Sequence, residues 1–446
     1  MAATVQLLCL ATSSGVPLYC RSKGESRQLP FSVIGSLNGV HMFGSNQDVL
    51  LTSTCTDNTR LCWRVFQDSI TLIVMTSEED ASDLYLSRLL DNVFSAMVLV
   101  IGLDDLVNLK NVERLKRELR ACYKLIDSFL AASDWIGDLT QCVDCVVSSD
   151  SEILQEALDV FVAAAESNFG CLMVMGKVVV ATEKWWRLAS QEIMLLAWLI
   201  GSLAPSSSRD YPIYLPHGSP TVPHRLLSFQ LVPGVEVCLL CGPTPSLQQV
   251  QTEMDAKDPM TLFAEELQSS PTTPGVLDNI YPSILTKNDY LVIIILLFVG
   301  ACSVQIGYQV SCITMVTELQ NLLLINREQN KNLFTLQPHG VETSQGAALP
   351  PERRRSILRQ FYTLAVSAYF PADSSEDKPA SLHEEFHTGF THSPAECYIA
   401  ADDHKCYAIQ TQQHQLFLTF TPDAPTFALR SIGTKTLNQL LKEVPF

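Results

Sequence analysis

The sequence predicts an α+β fold of three units in series, each a small antiparallel sheet packed by helices. Two observations predict it. Short apolar or alternating runs recur in groups bounded by turn residues, and segments with apolar residues at helical spacing interrupt or follow each group. The length agrees, because 446 residues exceed what one ordinary core accommodates.

The first unit is placed at residues 1–135. Val5–Thr12 and Val16–Arg21 read as strands joined by a tight turn at Ser13-Ser14-Gly15. Phe31–Phe43 carries Phe31, Ile34, Leu37, Val40 and His41 at helical spacing. Three more strands are expected at Val49–Thr54, Arg60–Phe66 and Ile70–Thr76. Ser77 is the expected N-cap of the next helix, with Glu78, Glu79 and Asp80 in its first turn, where the helix dipole favours negative charge. Leu86, Leu89, Leu90, Val93, Phe94, Met97 and Ile101 form its apolar stripe, and a second helix follows with Val112, Leu115, Leu119, Cys122, Ile126 and Phe129 inward. Two strands, a helix, three strands and two helices can bury one sheet face under helices.

The second unit is placed at 136–260. It holds a helix at Ile153–Glu166, strands at Phe169–Met175 and Lys177–Thr182 turned through Gly176, and a helix at Gln191–Leu203. A Pro- and Ser-rich connector leads to strands at Arg225–Val232 and Val235–Leu240. Of the adjacent Trp185 and Trp186, one is expected in the core and one at a contact between units. Residues 261–330 read as a linker, and the third unit is placed at 331–446. There a helix spans Glu352–Tyr369, strands lie at Cys397–Ala401, Lys405–Gln410 and Gln415–Phe420, and a final helix runs over Ala428–Glu443.

The formal net charge of −17 repels phosphate backbones, and no large basic cluster offsets it, so nucleic acid is not an expected partner. The 14 cysteines lie mostly within apolar runs, where a thiol behaves as a small hydrophobe. Met1–Leu10 lacks a basic start and leads into a strand, so a reducing cytoplasmic setting is expected and secretion is not.

Several motifs carry a chemical reading beside a bland one. His383-Glu384-Glu385-Phe386-His387 matches HExxH, in which two histidines grip zinc and the glutamate activates a water, so a zinc peptidase is one alternative. Its flanks, Pro379, Gly389 and Pro394, suit a polar loop better than a rigid helix. Cys142/Cys145 and Cys238/Cys241 form two CxxC pairs, yet strand spacing aims Cys238 and Cys241 to opposite faces, which favours core thiols over a zinc site. GxxxxGK[ST] and G-x-S-x-G are absent, and His217 and His224 sit in the Pro-rich connector. No catalytic, cofactor or metal residue is assigned.

Two basic features stand out. Lys110, Arg114, Lys116, Arg117, Arg120 and Lys124 oppose an apolar stripe, and Arg353, Arg354 and Arg355 with Arg359 open the third unit's helix. Either can face an acidic partner or a lipid headgroup, or be an ordinary solvated face.

Leu29–Gly44 (LPFSVIGSLNGVHMFG), Asp68–Val74, Ile136–Val146 and Tyr214–Leu227 together resemble the Fuzzy family of planar cell polarity effectors, with a weaker likeness at Arg430–Leu437. The resemblance implies three longin-like domains and a non-catalytic role in cilium biogenesis. It also implies pairing with Inturned, assembly with Wdpcp, and engagement of a Rab-family or Rab-like small GTPase at phosphoinositide membranes. The location so implied is cytoplasmic, at the cytoskeleton and the basal body, and no cofactor is implied. By analogy with longin pairs, the first sheet and its first helix build the shared platform, which points to Leu37, His41 and Met42. One stretch departs from the family pattern: Tyr290–Thr317 has no charged residue and reads as an insertion, or alternatively as a membrane anchor.

Overall fold

The computed structural model describes residues 4–23, 29–77, 81–108, 111–131, 135–146, 151–204, 206–232, 234–250, 319–336, 349–370 and 394–443. In the first unit β1 (Val5–Ala11) and β2 (Pro17–Lys23) precede α1 (Phe31–Ser45), then β3 (Ser53–Thr56), β4 (Thr59–Phe66) and β5 (Ile70–Thr76). Both faces of this sheet are covered, which explains the near-continuous apolar run of β1. Leu8 and Leu10 join Ile73 and Trp63 beneath α1, whereas Val5, Leu7 and Cys9 join Leu72 and Val74 on the other face.

That second face is closed by α2 (Asp83–Ile101) and by a broken helical run: α3 (Leu103–Val107), α4 (Val112–Glu118), a 3-10 turn at Leu119–Cys122 and α5 (Tyr123–Leu130). The cap of α2 is Ser82, not Ser77: its side chain accepts from the Tyr85 N–H at 3.1 Å. All seven stripe residues are inward, but Val98 and Leu99 are buried too. α2 has apolar neighbours on nearly every side, because a second sheet lies beyond it. Among the described residues it is the one helix long and apolar enough to cross a membrane, and its burial between two sheets accounts for that composition.

After α6 (Gly137–Thr140) and the two-residue β6 (Val143–Asp144), the second unit comprises α7 (Ser151–Ala164), β7 (Phe169–Val174), β8 (Lys177–Ala181), α8 (Glu183–Trp186), α9 (Ser190–Ser202), β9 (Ser208–Leu215), β10 (Ser219–Val232) and β11 (Val235–Cys241). β9 lies where the sequence suggested only a connector. α9 is sandwiched between this sheet and α2 and α5, so the first and second units share one core. α7 covers the opposite face with Leu158 and Val162 over Leu227, Phe229 and Leu239.

The third unit begins earlier than the expected residue 331. β12 (Leu319–Asn326) is a central strand, followed by β13 (Lys331–Leu336), α10 (Pro351–Leu364) with a π turn at Ala365–Tyr369, β14 (Glu396–Ala400), β15 (Lys405–Gln410), β16 (His414–Phe420) and α11 (Leu429–Glu443). Leu322–Ile325 is the unbroken apolar run of a strand buried on both faces, with Leu323 and Ile325 under α10 and Leu322 and Leu324 under α11.

The strand orders are β2-β1-β5-β4-β3, β8-β7-β11-β10-β9 and β14-β15-β16-β12-β13-β6. The first two, counted within each unit, read second-first-fifth-fourth-third, and the third is a run of the same kind with β6 added at its end. The expected α+β architecture of three antiparallel sheets in series is therefore what the chain adopts.

The addition of β6 ties the second and third units together. Val143 and Asp144 pair in parallel with Lys331 and Asn332 of β13. One residue on, Cys145 bridges to Val178 of β8, and the Val146 N–H donates to the Val178 carbonyl at 2.9 Å. Four residues thus fill the gap between two sheet edges. Beside this seam the Lys331 ammonium stands 4.1 Å from the ring centre of Trp186, while Trp185 is fully buried. The two tryptophans divide as expected, one in the core and one at the contact between units.

Candidate functional site

Pro30, in an extended conformation, starts α1, whose first turn has no acidic residue and no side-chain cap. Ile34 and His41 are buried against the sheet and Leu37 is half-buried there. Leu37 and His41 therefore belong to the underside of the helix rather than to an accessible surface. Met42 does face outward. Phe31 and Val40, which share helical spacing with Ile34, Leu37 and His41, are outside: Phe31 is 78% exposed and Val40 54%.

The outward set continues with Val33 and Phe43, then past the turn at Asp48 with Val49 and Leu50, the last 75% exposed. A helix this apolar all round would ordinarily be buried on both sides. Here, among the described residues, one side is open, and it carries several exposed apolar side chains. Gly35 and Gly39 lie on the same open side, where an added methyl would meet nothing within 4 Å. In the same sheet the four-residue β3 pairs with β4 from Ser53↔Cys62 to Thr56↔Thr59, and among the described residues no strand pairs with its outer edge.

The basic residues divide differently from their spacing. On α4 the Arg114 guanidinium holds Glu118 at 2.7 Å and Lys116 holds Glu113 at 2.9 Å, so both are neutralised within the helix. Arg117, Arg120 and Lys124 are exposed with no ion pair among the described residues. On α10 the four arginines do not form one surface, because consecutive helical residues point about 100° apart. Arg353 is exposed and 3.8 Å from Asp403, Arg355 is half-buried, and Arg354 is 1% exposed within the fold. Arg359 is turned inward to Asp138, at 3.0 and 2.6 Å, and its guanidinium also donates to the Trp135 carbonyl. Burial disfavours its charge, but the Asp138 carboxylate outweighs this and raises its pKa further. Arg354 and Arg359 are thus interior residues, a correction to the proposed cationic surface.

Around Asp138 lies a buried polar junction. Asn92 of α2 donates to the Asp138 carbonyl at 2.9 Å, and Gln191 of α9 donates to the Asn92 side-chain oxygen at 3.1 Å. Asp144 accepts from the Gly137 N–H at 2.9 Å and the Ile136 N–H at 3.3 Å. Burial pushes its carboxyl up to about 6, against the opposing pull of Lys177 and these backbone donors. These groups are satisfied internally, and the arrangement joins units rather than forming a cleft for a substrate.

The thiols follow the core. Cys238 lies in the core shared with α9 and Cys241 in the one under α7, so that pair faces opposite ways, and Cys142 and Cys145 likewise lie in different cores. Among the described residues no group of three or more His, Cys, Asp or Glu side chains could hold a metal ion. The HExxH match at 383–387 and the apolar stretch 290–317 lie outside the described residues.

Residues 5–129 match the family described as the first Longin domain of FUZ, MON1 and HPS1, residues 165–257 match the second and residues 318–444 the third. The chain is 58% identical over 447 residues to a protein named Protein fuzzy homolog from Xenopus tropicalis, covering 99% of each chain. Proteins of the same name from Homo sapiens and Mus musculus are each 45% identical, covering 98% of this chain and 97% of theirs. With three matched domains and relatives spanning its whole length, the chain belongs to the Fuzzy family of three-longin-domain proteins.

Proposed function

We propose that the chain is a non-catalytic scaffold subunit in cilium biogenesis and planar cell polarity. It pairs with Inturned through α1 and the β3 edge, joins Wdpcp, and presents a small GTPase of the Rab family at phosphoinositide-bearing membranes. One observation supports the pairing: the first domain carries, among the described residues, both an outward apolar set on and after α1, with Phe31, Val40, Phe43 and Leu50 exposed, and an unpaired outer edge on β3. By analogy with longin pairs, the partner would supply a helix and a sheet of the same kind. Nucleotide exchange, if the pair performs it, comes from deforming the GTPase switch region, with no proton-transferring side chain from this chain.

The test is copurification of the full chain with Inturned, for the parent and for Gly39→Arg and Phe43→Asp. Among the described residues an added Cβ at Gly39 meets nothing within 4 Å, and Phe43 is 71% exposed. Loss of Inturned from both variants, with unchanged melting, supports the reading, and retention in both overturns it. Cys55, exposed on β3, supplies a second readout: Inturned should slow its alkylation. Release of labelled GDP from candidate Rab proteins by the purified pair then decides whether exchange occurs.

A further inference from the structure

Among the described residues the third domain has an open strand edge of its own. The Ala401 N–H donates to the His404 carbonyl at 2.9 Å and the Gln410 N–H to the Ala395 carbonyl at 2.7 Å, so the odd-numbered residues of β14 turn their backbone toward β15. Glu396, Tyr398 and Ala400 turn theirs outward, and among the described residues no strand pairs with them. On the α10 face of this edge lies an open cleft of about 250 Å3, lined by Ile357, Phe361, Leu364, Ile399, His404 and Cys406. Leu364 is exposed at its rim, and Tyr398 is exposed on the opposite face of the edge. The hairpin closing β14 and β15 carries Asp402 and Asp403; Asp402 has no ion pair among the described residues.

We propose that this edge binds an extended peptide from a partner protein, added as a further strand beside β14, with one large apolar side chain in the cleft and a cation beside Asp402. Three features select that occupant. Outward N–H and C=O groups at alternate residues are matched in register by an extended chain and not by a helix. The cleft has room for one side chain of leucine or phenylalanine size, on the face where alternate residues of an added strand would point. The carboxylates stand at the same end of the edge as the cleft, so anchor and cation are neighbours in the peptide. The second domain shows why its β9 edge is not available: β9 is packed against α2. This surface is separate from α1, so its failure would leave the Inturned pairing untouched.

The experiment uses the full chain and a displayed library of random 12-residue peptides, followed by fluorescence anisotropy with the most enriched peptide. The expected consensus is an aliphatic or aromatic anchor with Lys or Arg close by. Leu364→Asp should weaken binding about tenfold or more, and so should Ala400→Pro, which removes an outward N–H while leaving the β15 ladder intact. Slower hydrogen exchange at Tyr398 and Ala400 on binding is the signature a merely apolar contact would not produce. Enrichment of no peptide, or binding unchanged in Leu364→Asp with its melting preserved, overturns the proposal. So does unaltered exchange at Tyr398 and Ala400. Sedimentation that shows a dimer of the parent chain dissociated by Leu364→Asp also overturns it, because the occupant would then be a second copy.

Discussion

Asp138 and Arg359, 221 residues apart in sequence, form a two-pronged ion pair between α6 and α10. The carboxylate side is 8% exposed and the guanidinium side 25%. A third prong from Arg359 to the Trp135 carbonyl ties in the segment between the first and second domains. The third domain is held to the first two by this contact as well as by the β6 seam.

Removing one partner of such a pair strands the other. Asp138→Asn is expected to destabilise the chain by about 3 kcal/mol, and Arg359→Met by a similar amount. The double variant, Asp138→Asn with Arg359→Met, should cost less than the sum, since no charge is then left buried. Urea unfolding of the parent, the two single variants and the double measures this; strictly additive losses would count against the coupling.

Asp144 supplies a pH test. Its folded pKa, about 6, lies above the ordinary carboxylate value because burial dominates. The folded state therefore binds the proton more tightly than the unfolded one. The stability that follows is present below about pH 4 and is lost as pH rises to about 6, a change of roughly 3 kcal/mol at most. Asp144→Asn should remove it, so the difference between parent and variant should fall across that window and be flat above it. Urea midpoints from pH 4 to pH 7 report the difference, and carboxylates common to both proteins cancel.

Glycines 176 and 201 both meet Trp135. A methyl on Gly201 would come within 2.4 Å of the ring, and one on Gly176 within 2.2 Å at a backbone φ of +75°. Gly201→Ala is expected to lose about 1–3 kcal/mol through overpacking, and Gly176→Ala more, because backbone strain adds to it. Gly39→Ala, with open space around it, should instead gain up to about 1 kcal/mol from helix propensity. Thermal melts of the three variants give the order.

The arginines of α10 separate charge from packing. Arg353→Glu should change stability by no more than about 0.5 kcal/mol, whereas Arg354→Glu places an acid in the interior and should cost about 3 kcal/mol or more. A combined Arg353, Arg354 and Arg355 change to Glu is therefore expected to unfold the third domain, and loss of liposome binding by it would say nothing about a lipid surface. Arg117→Glu with Arg120→Glu is the variant that leaves the fold intact, and liposome flotation on it is the informative measurement.

Much of the architecture was legible because apolar periodicity is a local property. The β1–β2 hairpin, the stripe of α2 and the last helix each followed from a few residues. β9 escaped because Ser208–Leu215 has mixed burial and contains Pro212, so no period-2 signal stands out. The early start of the third domain escaped because Leu322–Ile325 follows a long apolar stretch and reads as its continuation. The exposed apolar face of α1 was only half legible. Helical spacing on α1 identified apolar residues but not which of two apolar faces meets the sheet, and Gly35 and Gly39 were the available hint. The arginine triad could not be resolved from sequence, since inward turning of Arg359 depends on Asp138, 221 residues away.

The four residues that fill the space between β8 and β13 set a limit on how the chain can be divided. A fragment cut so as to lose 143–146 bares two edges at once, each a row of unsatisfied amides ready to recruit any extended chain. Expressed alone, the second or third domain would be prone to self-association for a reason unrelated to its own core. The smallest well-behaved piece carrying either of them should therefore keep the segment contributed from upstream of α7.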